Sequence, residues 1–169
     1  MNKNFFKNKK VLVLGHNGFK GSWLAQTLLV LKAKVFGVSL PNKESKSLFA
    51  KNNLSKKITE YNFNIQNEKI LKKTIFNIKP DIIFHLAAQS LVKKSYLDPL
   101  NTWKTNLLGT VNLLESLRFL KKNCLVVIIT SDKCYNNKEL IRGYKETDEL
   151  GGKDPYSASK GAAEIAIRS

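Results

Sequence analysis

Five polar residues in the last third of the chain have the types and spacing for alcohol oxidation coupled to proton transfer: Ser131, Asp132 and Lys133 in one run, Tyr156 and Lys160 in another. A Tyr and a Lys four residues apart share one face of a helix. There the ammonium favours the deprotonated phenol and makes Tyr156 a usable proton acceptor. Ser131 supplies a hydroxyl to bond a substrate hydroxyl. Asp132 can give a proton to a leaving hydroxyl, and Lys133 can remove one if burial and neighbouring positive charge lower its pKa. Each group also has a plainer reading. The run Thr130 to Tyr135 fits a polar exit from a strand, and the Tyr/Lys pair fits a chance doublet on a lysine-rich surface. What raises the chemical reading is that the two occur together, downstream of a glycine-punctuated turn.

That turn is Gly15-His16-Asn17-Gly18-Phe19-Lys20-Gly21. It follows an apolar run and opens a helix-period segment, the context in which Gly-x-x-Gly-x-x-Gly binds a dinucleotide. Glycines allow the tight turn and a close backbone approach, and the helix N-terminus offers free N–H groups to a pyrophosphate. Gly15, Asn17, Gly18, Phe19 and Gly21 are therefore candidate cofactor residues. Ala87 and Ala88 join them, because small residues at a strand end let the backbone lie against the cofactor, and Tyr156 and Lys160 would flank its nicotinamide. Gln89 and Ser90 emerge at the carboxyl end of the same strand, where open α/β sheets bind ligands, and are candidate substrate residues. His85 reads as a satisfied core histidine. The second strand ends in Ser39, Leu40 and Pro41, where an acid would ordinarily grip the adenosine ribose. NAD and NADP are not separated by this pattern.

The elements that must position these residues alternate between short apolar runs and helix-period segments, which predicts a doubly wound, Rossmann-like parallel sheet wrapped by helices. Strands are expected at 11–15, 35–39, 58–64, 82–87 and 125–131. Helices are expected at 21–31, 68–77, 101–120 and 155–168, the first burying Trp23, Leu24, Thr27, Leu28 and Leu31. The longest irregular segment, 136–153, has the length of a functional loop. The chain ends inside its last helix with no following strand, so an interrupted protein is expected: residues 1–169 as one incomplete dinucleotide-binding domain.

The 169 residues carry 29 Lys and Arg against 13 Asp and Glu, a formal charge of +16. A basic face attracts phosphate, but the lysines fall in every segment, with no aromatic-interleaved patch. Solvated lysine-rich faces, not a nucleic-acid surface, are the reading. Cys124 and Cys134 have neither disulfide-framework nor zinc spacing, so no metal is expected. No stretch reaches the length of a membrane span or a signal-peptide core, and a cytoplasmic protein is expected.

In these blocks the chain resembles the extended short-chain dehydrogenase/reductase family, and within it the CDP-glucose 4,6-dehydratase branch. The similarity runs through GHNGFKGSWL (Gly15 to Leu24), HLAAQSLVKKSYLD (His85 to Asp98), TNLLGTVNLLE (Thr105 to Glu115), TSDKCY (Thr130 to Tyr135) and GGKDPYSASK (Gly151 to Lys160). A related branch acting on dTDP-glucose carries Thr-Asp-Glu where this chain has Ser131, Asp132 and Lys133, and the Lys points to the CDP-glucose branch. The resemblance implies NAD as cofactor and CDP-glucose as substrate. Tyr156, assisted by Lys160 and Ser131, would take the C4 hydroxyl proton, Lys133 would act as base at C5, and Asp132 would protonate the departing C6 hydroxyl. Asn106 resembles a family Asn on a helix that supports the site. The resemblance further implies a role in surface polysaccharide (lipopolysaccharide) biosynthesis and a homodimer, with no membrane or nucleic-acid partner. A nucleotide-sugar epimerase, and a truncated non-catalytic nucleotide-binding domain, stay open beside it.

Overall fold

The structure, a computed structural model, describes residues 4–41 and 44–169. Five strands form one parallel sheet: β1 (Lys10–Leu14), β2 (Lys34–Ser39), β3 (Thr59–Asn62), β4 (Ile82–His85) and β5 (Leu125–Ile128). Their order across the sheet is β3-β2-β1-β4-β5, the Rossmann-like arrangement expected. The first crossover sends the chain to one side of β1 and a later one to the other. The order therefore reverses beside β1, which opens a crevice at the carboxyl ends of β1 and β4.

The side-chain period of two divides the core into two layers. In β1, Val11 and Val13 face one layer with Ala25, Leu28, Val35 and Ile82. Leu12 and Leu14 face the other with Leu71, Ile75, Ile83 and Leu113. Covering helices are α1 (Phe19–Val30), α2 (Leu48–Lys51), α3 (Glu68–Ile78), α4 (Val92–Leu97), α5 (Pro99–Trp103), α6 (Gly109–Leu117) and α7 (Pro155–Arg168). β3, β4 and β5 stop short of their expected ends. Phe63, Leu86 and Ile129 each still donate one backbone hydrogen bond to the neighbouring strand, after which the chain peels off to line the crevice.

Two expectations are corrected and two short helices are added. The buried side of α1 consists of Gly21, Ser22, Ala25 and Leu28, while Trp23 is 54% exposed and Thr27 is also exposed. Small residues let the helix press against the sheet, Leu28 is buried and Leu24 packs partly against the same core as expected, and Trp23 and Thr27 turn outward. The expected single helix over 101–120 is α5, a π-turn at Lys104–Leu108, and α6. Its start is fixed by Asp98, whose side chain accepts from the backbone of Asn101 ahead of Pro99 at the first turn. Finally, α2 and α4 are short helices that no sequence period announced.

Among the described residues, β5 is the outer strand on its side and pairs only with β4. Among the described residues, no helix is long and apolar enough to cross a membrane, and no group of His, Cys, Asp and Glu has the arrangement of a metal centre.

Candidate active site

The glycine turn does what its composition requires. Gly15 sits at φ +87°, and a Cβ there would come within 2.7 Å of the backbone of Ala87, so β1 and the end of β4 can approach only through glycine. At Gly21 a Cβ would lie 2.0 Å from the carbonyl of Gly15. Gly18 differs, since a Cβ there would meet nothing closer than 3.5 Å. The protein's own packing does not demand that glycine, and the open space in front of it suits a ligand. Gly18 also caps α1 with no side-chain hydrogen bond and no acid in the first turn, which leaves the first N–H groups of α1 directed at an incoming anion. A dinucleotide pyrophosphate fits these residues.

The turn forms one wall of a crevice of about 610 Å³, whose lining also includes Asn17, Phe19, Ala87, Ala88, Gln89, Ser90, Tyr156 and Lys160. The structure thus brings every expected cofactor and substrate residue to one cavity, together with the Tyr/Lys pair. Ser131, Asp132 and Lys133 are not among its lining residues, which just past β5 are Ile129 and Thr130. Ser131 instead caps a 3-10 turn at Asp132–Cys134, accepting from the backbone of Lys133 at 3.2 Å and donating to Asp132 Oδ1 at 3.1 Å. Asp132 and Lys133 are exposed. Their turn packs against α7, the helix that carries Tyr156.

Lys160 is buried, 6% exposed, and its Nζ donates to the carbonyl of Ile129 at 3.2 Å. Burial lowers its pKa to about 8, with Glu164 opposing and Lys20 reinforcing the shift. The expected ammonium beside the phenol is therefore a partly desolvated one. His85 is buried as expected, and burial, helped by Lys160, pushes its pKa down to about 3. It is neutral at physiological pH. The single proton of the Thr110 hydroxyl goes to the carbonyl of Asn106 at 2.8 Å, so His85 Nε2, 3.1 Å from that hydroxyl, must be the donor. His85 Nδ1 is left without a hydrogen-bond partner, so this core histidine is only half satisfied.

Asn106, in the π-turn, joins the two halves of the site. Its Oδ1 accepts from the backbone N of Gln89 at 2.8 Å, and its Nδ2 donates to the Gln89 carbonyl at 3.1 Å and to Ser159 Oγ at 2.9 Å. Ser159 in turn donates to the carbonyl of Tyr156 at 2.7 Å. One buried amide therefore fixes the loop after β4 and the first turn of α7 together. The side chain of Gln89 is committed to its own loop and to α5, donating to Leu91 O and Thr102 Oγ1 and accepting from Leu91 N, whereas Ser90 is exposed to the crevice. Lys20, Lys94, Asn101 and Thr105 also line the cavity. Sequence reasoning missed them, although Lys20 stood inside the glycine motif itself.

The chain matches the family described as GDP-mannose 4,6 dehydratase over residues 12–169. It is 45% identical, over 98% of its length, to the CDP-glucose 4,6-dehydratase of Salmonella typhimurium, and covers 46% of that protein. Among solved structures it resembles the Thermus thermophilus UDP-glucose 4-epimerase in complex with NAD, at TM-score 0.78 and 28% identity, covering 94% of this chain and 50% of that one. It also resembles the Thermotoga maritima UDP-glucose 4-epimerase with UDP-glucose, at TM-score 0.80 and 25% identity, with 94% and 50% coverage. The chain spans about half the length of the relatives it matches.

Proposed function

The chain belongs to the GDP-mannose 4,6 dehydratase family, and from that premise we propose that it carries the dinucleotide-binding and proton-handling portion of a CDP-glucose 4,6-dehydratase, with NAD as cofactor. The observation that carries the proposal is the shared cavity, in which the glycine turn and the Tyr156/Lys160 pair form walls of one crevice. Bound there, NAD would accept hydride from C4 of the glucosyl ring and return it to C6, so that the overall reaction is a dehydration with no net redox change.

The chain's own groups would manage the protons. Tyr156 takes the proton of the C4 hydroxyl as that carbon is oxidised, and the neighbouring Lys160 ammonium stabilises the phenolate. The resulting 4-ketone acidifies the proton on C5. Lys133 would remove that proton and Asp132 would protonate the C6 hydroxyl so that water leaves across C5 and C6, and the proton held by Lys133 would return to C5 as hydride reaches C6. The packing of the Asp132–Cys134 turn on α7 supports this division, because it keeps the acid and base near the phenol's helix. The product is CDP-4-keto-6-deoxyglucose. Incubating the protein with CDP-glucose and NAD and following the alkaline absorbance of a 4-keto sugar tests the proposal. Product from CDP-glucose, and none from the UDP, GDP or dTDP sugars, is expected.

A second reading is a nucleotide-sugar 4-epimerase. It would use Tyr156 and Lys160 and leave Asp132 and Lys133 without a role, and it is favoured by the exclusion of those two from the crevice lining. Conversion of a nucleotide sugar to its C4 epimer, unchanged by Asp132→Asn, would establish it.

A further inference from the structure

We propose that Glu164 is a positioning residue of this site, seating both the Lys160 ammonium and the strand exit that carries Ser131, Asp132 and Lys133 on the helix of Tyr156. The inference rests on the proton-handling roles given to those residues above. The exit from β5 meets α7 at two consecutive positions. Lys160 Nζ donates to the carbonyl of Ile129 at 3.2 Å, and the Thr130 hydroxyl donates to Glu164 Oε1 at 2.5 Å. Lys160 and Glu164 stand four residues apart and so share one face of α7. A hydroxyl-to-carboxylate bond of this length belongs to the charge-assisted class, which is stronger than a bond between neutral groups. Ile129, Thr130 and Lys160 line the crevice and Glu164 does not, so the carboxylate acts through its neighbours rather than on a ligand.

The Asp132–Cys134 turn is thereby held at both ends. At its far end Gly161, next to Lys160, admits it, since a Cβ there would lie 3.0 Å from the carbonyl of Cys134. That carbonyl accepts from the backbone N of Gly151 at 2.8 Å. At its near end the anchor is the bond from Thr130 to Glu164. Ser131, between the two anchors, spends its hydroxyl within the turn itself. The titratable groups around Lys160 are Tyr156 and Glu164 on its own helix, Lys20 on α1 and His85 on β4. Those of the turn that feel Glu164 are Cys134 and Tyr135, with Arg168 acting on both from the end of α7. Glu164 supplies the negative charge that offsets part of the burial of Lys160.

Two local measurements on the 169-residue chain test this without any turnover. An NMR titration of the Lys160 side chain, assigned by its loss in Lys160→Met, should have its midpoint at about 8 in the wild type. In Glu164→Gln, where the amide keeps an acceptor for Thr130 but no charge, the midpoint should fall by about one pH unit. Amide hydrogen exchange at 131–135 should run about tenfold faster in Thr130→Val, which loses the bond, and return to the wild-type rate in Thr130→Ser, which keeps the hydroxyl. If Thr130→Val does not fold, Glu164→Ala removes the same acceptor and is read by the same exchange. A residue of merely structural weight would lower the melting temperature and move neither readout. A Lys160 midpoint unchanged in Glu164→Gln, or exchange at 131–135 unchanged in Thr130→Val and Glu164→Ala, would overturn the inference. Wild-type chain that makes no 4-keto product from CDP-glucose, with both local shifts present, would overturn the dehydratase reading instead.

Discussion

Gly18, Lys160 and Asp132 each separate one aspect of the site from the rest of the fold. Because a Cβ at Gly18 has room within the protein, Gly18→Ala is expected to keep the melting temperature within a few degrees while weakening NADH binding by about 1–3 kcal/mol, from lost close approach to the pyrophosphate. Gly21→Ala, with its 2.0 Å clash, should lower both. Lys160 has its folded pKa, about 8, below its ordinary value of 10.5. The unfolded chain therefore holds more protons between those two values, and stability contributed by this group rises with pH across that window. Below pH 8 the buried ammonium costs on the order of 3 kcal/mol. Lys160→Met is accordingly expected to be more stable than wild type at neutral pH, by urea denaturation, with the gap closing toward pH 10, while losing turnover. Asp132→Asn should abolish formation of the 4-keto-6-deoxy product and leave NADH affinity unchanged; a dehydration rate equal to wild type would refute the assigned role.

At the scale of elements, the π-turn is the feature on which the site's assembly depends. It places Asn106 where one side chain bonds both backbone groups of Gln89 and the hydroxyl that supports Tyr156. Asn106→Ala leaves those buried groups unpaired and is expected to cost about 2–4 kcal/mol in denaturant unfolding, with larger loss of turnover than of NADH affinity. Gly109, just after the turn, is also closely packed, since a Cβ there would meet Ile65 Cδ1 at 2.5 Å and the Ile65 side chain would have to shift. The sequence made the strands legible because apolar runs such as 11–14 and 82–83 sit between turn signals. The last helix, expected at 155–168, is observed at Pro155–Arg168. The π-turn was invisible because a single widened turn inside a helix leaves the apolar period over 101–120 almost unchanged. The face of α1 was misread for a related reason: Gly21, Ser22 and Ala25 bury little apolar area, so the pattern drew attention to Trp23 instead. The separation of Asp132 and Lys133 from the cavity depends on a 3-10 turn that no periodicity encodes.

On the scale of the whole molecule, charge is the dominant variable. A formal +16 on 169 residues opposes compaction by self-repulsion. The thermal midpoint is expected to rise between low salt and about 0.15 M, and differential scanning fluorimetry reads it directly. The buried neutral His85 adds an acid limit. Its folded pKa of about 3 lies below the ordinary 6.5, so the unfolded chain binds the extra proton between those values and stability falls as pH drops through that range. The outer edge of β5 gives the salt response a second side. Leu125, at the start of that strand, and Ile129, just past its end, are 54% and 37% exposed, and the flank that pairs with no strand among the described residues is a template for another strand. Mutual repulsion of like-charged copies holds such flanks apart in dilute buffer. The electrolyte that steadies each molecule thereby weakens the colloidal barrier between molecules, so light scattering should climb over the same range in which the melting point improves.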